Sequence, residues 1–555
     1  MEAGIVNYKK YQLMASILYA ALFLAGIKVL FHGFPDIERF FAEWMDEKLT
    51  LTIIMKFGTL NFAPTQIWHP PLYHYLTFIP IAIFFLIGKL AGFFNDKTEF
   101  LKLYFNNTYY FLFVGRMMSY IFYWLSAVMV YKIARLFYIR MVSHLTVISY
   151  LLIPVFIFDF STIRPEPLLF LNTSIFFYFF LKYYLDTTRV KYIFLSAFFL
   201  GASIATKYNS AYLALFFLFM MLLVARRDTL QRSIILSLRV GFIVFIGFFI
   251  CNPFFIIKFN TYFHNLKVLV VETKYYWKSV SHSNHLGELS SPMYLNMFGL
   301  LILLFGIWNM LKRDKRLLLM VLLVILMYES YFGIFLNNYS PLRYLNPLFP
   351  VTVLLFSAGI DFIIANKRRI PIMIIFLLVS FYNYVDIWRG MTVTQTHLQK
   401  ARSFIETHIP ERTVICITSN NYLPQLNMTE ESYYYLMNTV SAPKNIKGYE
   451  LSYKDMDDEK IYDTVLRKLR MQSLTKRPCY NFIRWDDNIK TEIEAVDFLR
   501  KNKVAYIISK DACAIGDKRL EDTKVASLIR EFKPYNKRIY KAVYADVSLF
   551  LYKVN

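Results

Sequence analysis

The chain is poor in charged residues and in cysteine: 18% of its 555 residues are charged, and four are cysteine. Cys416, Cys479 and Cys513 are too widely spaced for a metal site or a disulfide framework, and at most one bridge could join two of them. The region after residue 392 contains no glycine-rich phosphate loop, no Cys/His cluster and no nucleophile elbow. These absences leave that region without a known catalytic pattern.

Apolar residues dominate instead, since 57% of the chain is hydrophobic and 19% is aromatic. They form runs near the length of about 18 residues that crosses a bilayer, although some are a little short. The clearest runs are Met14–Leu30, Phe111–Val130, Val240–Ile257 and Val351–Ile364. The sequence therefore predicts a polytopic α-helical membrane protein. The first run lacks a small-residue cleavage site, so we expect it to remain as the first helix.

The formal net charge of +23 comes from basic residues in short turns between apolar runs. This distribution is typical of cytoplasmic turns and does not indicate nucleic-acid binding. It predicts a cytoplasmic N-terminus and about eleven crossings. They lie near 12–31, 109–131, 143–158, 168–185, 192–206, 209–225, 235–256, 294–311, 317–336, 344–364 and 371–388. The apolar stretch 71–94 does not fit this alternation, so we expect it to be re-entrant or to lie on the outer surface; an extra crossing is the alternative.

The composition changes at about residue 392, where charged residues become dense and short β-branched segments alternate with amphipathic ones. Residues 413–417 and 504–508 read as strands, 538–554 as two strands, and 457–471 and 491–501 as helices. We therefore expect two domains, a membrane domain over 1–391 and an extracytoplasmic α/β domain over 392–555. The second domain is expected to serve in recognition or capping.

Acidic residues follow the first membrane helix, in the outer loop 32–108. Asp36 lies just beyond that helix, and Glu38 lies two residues further on. A carboxylate at the membrane surface can act as a general base toward a hydroxyl group. Alternatively, Asp36 caps a surface helix that begins at Ile37.

The same loop returns to the membrane through His-Pro-Pro-Leu-Tyr-His-Tyr-Leu at 69–76. The two prolines restrict the backbone and hold His69 at a defined depth, where it suits a phosphate group. Tyr73 and His74 follow in the same segment. The alternative interpretation is an ordinary helix start with aromatic anchors at the membrane interface.

Further ionisable residues lie at the outer ends of the predicted helices: Arg164, Glu166, Lys207 and Arg343, the last followed by Tyr344. Such residues are costly in a bilayer and suggest function, and several cations at one depth could hold an anionic head group. The alternative is a set of salt-bridged or snorkelling helix ends. In the loop 257–292, His282 and His285 form a weak candidate metal pair without a third ligand.

Taken in order, these motifs resemble the membrane-embedded GT-C glycosyltransferases, in particular the protein O-mannosyltransferase, aminoarabinose-transferase and Rgt-like group. The likeness runs over about residues 10–390. It includes Asp36, the segment 69–76, Arg116, Arg164-Pro-Glu166, the Thr-Lys end of the segment 200–208 and Arg343-Tyr-x-x-Pro. Two positions depart from the family pattern. The acids Asp36 and Glu38 are not adjacent, and the Pro-Pro segment begins with His69 rather than with Lys, so the phosphate contact of His69 is expected to be weaker or shared with another cation.

The resemblance implies transfer of a sugar, expected to be a hexose such as mannose, from a polyprenyl- or dolichyl-phosphate donor to a lipid, glycan or protein acceptor. Asp36, with Glu38 beside it, would be the base in an inverting reaction. His69, Arg164, Lys207 and Arg343 would bind the donor phosphate, and Glu166, Tyr73, His74 and Tyr344 would line the groove. No cofactor is expected, although a divalent metal stays open. The expected location is a bacterial inner membrane, and the alternatives are a lipid-linked sugar flippase or a non-catalytic scaffold.

Overall fold

The computed structural model describes residues 2–31, 45–63, 69–106, 109–217, 230–260, 262–263, 290–292, 294–330, 347–392, 397–418, 426–432, 477–485, 489–509, 514–515, 518–523, 525–533 and 548–555. Contacts divide the chain into two compact units. The first comprises Met1–Phe31, Trp44–Asn95 and Tyr110–Arg389; the second includes Asp96–Tyr109 and Gly390–Asn555.

All of the regular secondary structure described in the first unit is helical. Its helices are α1 (Glu2–Leu30), α2 (Met45–Lys56), α3 (Leu72–Leu90), α5 (Tyr109–Arg135), α6 (Arg140–Leu151), α7 (Phe156–Ser161), α8 (Glu166–Leu185), α9 (Val190–Ile204), α10 (Leu230–Cys251), α11 (Phe254–Ile257), α12 (Asn296–Arg313), α13 (Lys315–Glu329), α14 (Phe349–Ile364) and α15 (Ile370–Met391). Helix α4 (Lys97–Asn106) lies in the second unit. Six described helical segments are long and apolar enough to cross a membrane. The predicted helical membrane architecture is therefore confirmed.

Two predicted segments differ from the structure. The predicted crossing near 143–158 is not one helix, because α6 ends at Leu151 and α7 begins at Phe156. Pro154 lies in the break, where its missing N–H cannot continue a helix. The stretch expected to be re-entrant or to lie on the outer surface contains α3, an unbroken helix of 19 residues with a mean hydropathy of 1.5. An unbroken helix of this length is inconsistent with a re-entrant loop and is compatible both with a helix on the outer surface and with the alternative of an extra crossing.

Helices of the first unit approach closely at glycines. A Cβ atom built on Gly201 of α9 would lie 2.2 Å from the carbonyl oxygen of Val244 in α10. Likewise, a Cβ on Gly306 of α12 would lie 2.0 Å from the carbonyl oxygen of Leu355 in α14. Small residues let helix backbones pack against each other in this way. The first of these contacts fixes α9, whose C-terminal end reaches the polar site described below.

The second unit contains α16 (His397–His408), α17 (Glu492–Lys501) and a six-stranded sheet in the order β2-β3-β1-β4-β8-β7. Strands β1 to β4 pair in parallel, and β8 and β7 pair antiparallel at one side. The strands are β1 (Val414–Ile417), β2 (Asn427–Met428), β3 (Cys479–Arg484), β4 (Tyr506–Ser509), β7 (Ala526–Phe532) and β8 (Leu549–Val554), with β5 (Ala514–Ile515) and β6 (Lys518–Arg519) in a separate hairpin.

Side chains along β1 point alternately to the two faces of the sheet, and each face is covered by a helix. Ile415 and Ile417 point to one side of the sheet and join a buried cluster with Ala401 and Ile405 of α16. Cys416 points to the other side and packs in a cluster with Leu499 of α17. Side chains that alternate in this way place one helix on each face of the sheet. The predicted α/β character of the C-terminal region is confirmed.

The predicted elements of this region are largely present where the structure describes them. The helix predicted from 491 is α17, and the predicted strands at 413–417 and 504–508 are β1 and β4. Of the two strands predicted over 538–554, the described part contains one, β8. Residues 457–471 lie outside the described part of the chain. Cys251, Cys416 and Cys479 are not joined to one another by a disulfide, and Cys513 lies outside the described residues.

Candidate active site

Ionisable side chains are buried inside the helical unit at positions from five different segments. They are Glu47 in α2, Arg116 in α5, Arg164 before α8, Glu166 at the start of α8 and Lys207 after α9, and each is at most 5% exposed. Burying a charge among apolar helices costs several kcal/mol unless it is paired, so such residues are retained for a function or for a specific pairing.

Glu47 and Arg116 form a two-point ion pair. Arg116 Nε donates to Glu47 Oε1 at 2.8 Å, and its Nη2 donates to Oε2 at 2.9 Å. Its Nη1 donates to the carbonyl oxygen of Leu30 at 3.0 Å, and the backbone N–H of Ile163 donates to Glu47 Oε1 at 3.0 Å. The pair therefore connects the end of α1, α2, α5 and the segment before α8.

Glu47 is a residue that our sequence interpretation missed, although the sequence carried a signal for it. Asp46 and Glu47 are adjacent acids, the arrangement that the family pattern has and that Asp36 and Glu38 lack. Glu47 also shares a helix face with the buried Leu51 and Ile54, four and seven residues further on. An acid on an apolar helix face indicates a buried partner, which here is Arg116.

Lys207 and Glu166 form a second buried ion pair. Lys207 Nζ donates to Glu166 Oε1 at 2.8 Å, and the side chains are 6% and 5% exposed. Glu166 is placed by the start of α8, and Lys207 follows the last turn of α9 in extended conformation. Arg164, two residues before Glu166, is also buried. The structure thus brings together Glu166 and Lys207, from the Arg-Pro-Glu and Thr-Lys motifs, and buries Arg164 two residues before Glu166.

The residue that follows the His-Pro-Pro segment is hydrogen-bonded to the chain close to Lys207. The backbone N–H of Leu72, the first residue of α3, donates to the carbonyl oxygen of Ala205 at 3.3 Å, two residues before Lys207. Tyr73 Oη lies 2.7 Å from Ser119 Oγ of α5, and its phenol is close enough to interact electrostatically with both Glu47 and Glu166. Tyr73 is therefore within electrostatic range of one carboxylate from each ion pair.

His69 and His74 lie at the entrance to α3. His69 is half-buried and interacts electrostatically with His74, which is 4% exposed. His74 Nδ1 has no hydrogen-bond partner among the described residues. A buried imidazole nitrogen in this position is available to a bound polar molecule.

A second polar group, also missed in the sequence interpretation, lies beyond α10. Tyr262 Oη donates to Asn252 Oδ1 at 2.8 Å, and Tyr262 interacts electrostatically with Tyr208 and Tyr75. Asn252 Nδ2 and Tyr208 Oη have no partner within the part of the chain that is described. The signal was Asn252-Pro253, which places an amide directly after the last residue of a membrane helix.

Six predicted site residues lie outside the described residues: Asp36, Glu38, Arg343, Tyr344, His282 and His285. Their roles stay predictions. Within the described ranges, no three His, Cys, Asp or Glu side chains are grouped in a way that could hold a metal ion.

The arrangement suits an anionic head group that carries polar substituents. Arg164 and Lys207 supply buried cations, and Glu166 fixes the position of one of them. Cations in surroundings of low dielectric constant attract an anion more strongly than they do in water. Asn252, Tyr208 and His74 supply hydrogen-bonding atoms near the same chain segments.

A family model covers most of these residues. Residues 107–251 match the family described as dolichyl-phosphate-mannose-protein mannosyltransferase. This segment contains Arg116, Arg164, Glu166 and Lys207. The resemblance to membrane glycosyltransferases is thereby confirmed, and the match indicates that the chain is a glycosyltransferase.

Solved structures that align with this chain come from a bacterium and an archaeon. ArnT from Cupriavidus metallidurans in the apo state is 11% identical, with a TM-score of 0.45 over 91% of this chain and 93% of that chain. The same protein bound to undecaprenyl phosphate is 12% identical, with a TM-score of 0.44 over 90% and 93%. The Archaeoglobus fulgidus oligosaccharyltransferase in the apo form is 11% identical, with a TM-score of 0.42 over 89% and 69%. No curated protein matches the chain.

Proposed function

We propose that the chain transfers a sugar, a hexose such as mannose, from a polyprenyl- or dolichyl-phosphate donor to a lipid, glycan or protein acceptor on the outer face of the membrane, with inversion at the anomeric carbon. The observation that carries this proposal is the buried ion pair of Glu166 and Lys207, with Arg164 buried two residues before Glu166, within the segment that matches the mannosyltransferase family. A bacterial inner membrane, a cytoplasmic N-terminus and an extracytoplasmic C-terminal domain belong to the same proposal.

The cations Arg164 and Lys207 bind the donor phosphate and stabilise the charge that develops on it as the glycosidic bond breaks. Glu166 holds Lys207 at 2.8 Å, so that the ammonium group keeps its position in apolar surroundings. His69 and Arg343 complete the phosphate site. The lipid phosphate leaves with the bonding electrons, and its charge needs no metal ion when several cations surround it.

The acceptor hydroxyl loses its proton to a carboxylate as it attacks the anomeric carbon from the side opposite the phosphate. Asp36 is our first candidate for this base. Asp46 is the second, because its neighbour Glu47 is bound in the site by Arg116 and because the two acids are adjacent.

The transferred sugar lies against the polar group of Asn252, Tyr208 and Tyr262. Sugar hydroxyls both donate and accept hydrogen bonds, and they would supply partners for Asn252 Nδ2 and Tyr208 Oη. Replacing Asn252 by Ala should raise KM for the donor. Tyr192→Phe, at the other end of α9, is a control that removes a tyrosine hydroxyl away from this group.

The deciding experiment is sugar transfer by the purified protein in lipid nanodiscs, with a panel of radiolabelled polyprenyl-phosphate sugars and an acceptor extract. Wild type is compared with Asp36→Asn and Asp46→Asn, each with and without a metal chelator. Transfer that is lost in one variant identifies the base, and transfer that persists with chelator supports a reaction without a metal. If neither variant is impaired, both carboxylates are removed from the mechanism. If no donor is consumed by the wild type, a flippase or a scaffold explains the chain better.

A further inference from the structure

A basic groove lies on the second unit, between α16 and the edge strand β7. Its volume is about 520 Å³, and it is lined by Lys400, Ser403, Phe404, Thr407, His408, Arg530, Glu531, Phe532 and Lys533. This volume is within the range of small-molecule sites in proteins. None of these residues takes part in the proposed transfer reaction.

Helix periodicity and the edge of the sheet create the groove. Lys400, Phe404 and His408 recur every four residues and therefore share one side of α16. β7 is the last strand of the sheet, and Arg530 and Lys533 lie in or directly after it. Basic residues from two elements thus face one cavity.

The charges of the groove are unbalanced. Lys400, Arg530 and Lys533 are cations, and Glu531 is the single carboxylate among its lining residues. Glu531 Oε2 contacts Lys533 Nζ at 3.1 Å, so this carboxylate is already paired with one of the three cations. A groove with this excess of positive charge attracts an anionic ligand.

Two aromatic rings contact the guanidinium group of Arg530. The guanidinium carbon of Arg530 lies 4.9 Å from the ring centroid of Phe404 and 5.4 Å from that of Phe532. The ring of Phe404 also stacks on His408, with centroids 4.2 Å apart. A guanidinium packed against two rings keeps a defined position, and its planar fork of N–H groups matches a phosphate or a carboxylate. Ser403 and Thr407 add hydroxyl groups, and the exposed imidazole ring of His408, which stacks on Phe404, can pack against the apolar face of a sugar.

We propose that this groove binds a saccharide that carries a phosphate or carboxylate group, and that the C-terminal region uses it to recognise an anionic acceptor. The assignment as an acceptor site rests on the proposed transferase function. Binding of the saccharide itself does not, since it needs neither the donor nor the carboxylate base.

Binding is measured on the full chain in nanodiscs of zwitterionic lipid, by saturation-transfer NMR and calorimetry. The probes are glucose 6-phosphate, glucuronate, glucose and inorganic phosphate. We expect an anionic sugar to bind, glucose to bind at least about tenfold more weakly, and Arg530→Gln to weaken the anionic sugar by about tenfold or more. Arg500→Gln, an exposed arginine on α17 outside the groove, should leave binding unchanged.

Three outcomes would overturn the proposal: equal binding of glucose, equal binding by Arg530→Gln, or binding of inorganic phosphate as tight as that of the sugar phosphate. Stronger binding of the chain to vesicles with anionic lipid, abolished by Arg530→Gln while no sugar binds, would assign the groove to the membrane surface instead. Asp36→Asn should bind the sugar normally. If the wild type binds the sugar but transfers none from any donor, the transferase function alone is contradicted.

Discussion

Arg116 holds Glu47 through two hydrogen bonds of 2.8 and 2.9 Å and binds the carbonyl oxygen of Leu30 through a third of 3.0 Å. Leu30 ends α1, and Glu47 lies near the start of α2, so one guanidinium fixes both ends of the intervening segment. That segment carries Asp36 and Asp46, the two candidates for the base. The ion pair of Glu47 and Arg116 therefore holds both ends of the segment that carries the two candidate bases.

Removing one member of this pair should be more harmful to stability than removing both. Glu47→Ala leaves the Arg116 charge buried without its carboxylate, which should cost about 3–5 kcal/mol of unfolding free energy. Glu47→Leu combined with Arg116→Met removes both charges and should recover much of that stability, but not sugar transfer, because the segment loses its anchor. Unfolding in detergent and transfer in nanodiscs measure the two effects. A double variant as unstable as the single one, or one that transfers sugar normally, would contradict this view.

The pair of Lys207 and Glu166 should act on the donor. Lys207→Met removes a charge-assisted bond to phosphate that is worth about 1.5–3 kcal/mol, or roughly 10- to 150-fold in kcat/KM. Glu166→Gln leaves the cation in place but holds it less firmly, so we expect a smaller loss. Steady-state kinetics with a polyprenyl-phosphate sugar provide the measurement. Lys182→Met, at the other end of α8, is the control, and an equal loss in that variant would argue against a specific phosphate contact.

Membrane helices and motif order could be predicted from the sequence because apolar length and basic turns are local properties. The contact between Leu72 and Ala205 could not, because it joins backbone groups that are far apart in the chain. Glu47 was missed for a related reason: its partner Arg116 is 69 residues away, and no periodicity links them. Similarly, the order of the strands, which places Arg530 opposite α16, depends on pairings across the whole C-terminal region.

Close contact between α9 and α10 should make Gly247 intolerant of a side chain. A Cβ atom at this position would lie 2.4 Å from the carbonyl oxygen of Phe198, a backbone atom that cannot move independently. Gly247→Ala should therefore cost about 1–3 kcal/mol by overpacking. Gly241→Ala lies on the same helix with no atom within 4 Å of its Cβ, so it should be neutral or slightly stabilising. Thermal unfolding of both variants checks this, and equal melting temperatures would show that the helices separate at little cost.

The start of α17 should lose stability in acid because of Glu494. Its Oε2 accepts the backbone N–H groups of Lys490 at 2.9 Å and Thr491 at 3.0 Å, and the Thr491 side chain accepts the N–H of Glu494 in return. These backbone hydrogen bonds, that from Lys490 first, lower the pKa of Glu494 below its ordinary value. A lowered pKa in the folded state means that this stabilisation is present above the unfolded pKa of about 4.3 and is lost as the pH falls through the folded pKa.

Hydrogen exchange of residues 489–501 in the intact protein tests the role of these hydrogen bonds at the start of α17. Glu494→Ala should exchange faster than wild type between pH 5 and 7, and the difference should shrink as the pH falls below about 4.3 and through the lower folded pKa of the wild-type carboxylate. Thr491→Ala removes the side chain that accepts the N–H of Glu494 and should cost about 0.5–2 kcal/mol of unfolding free energy. Asp497→Ala, in the middle of the same helix, controls for loss of a carboxylate outside the cap. A difference between Glu494→Ala and wild type that stays constant down to pH 3 would show that charge on Glu494 does not hold the helix start.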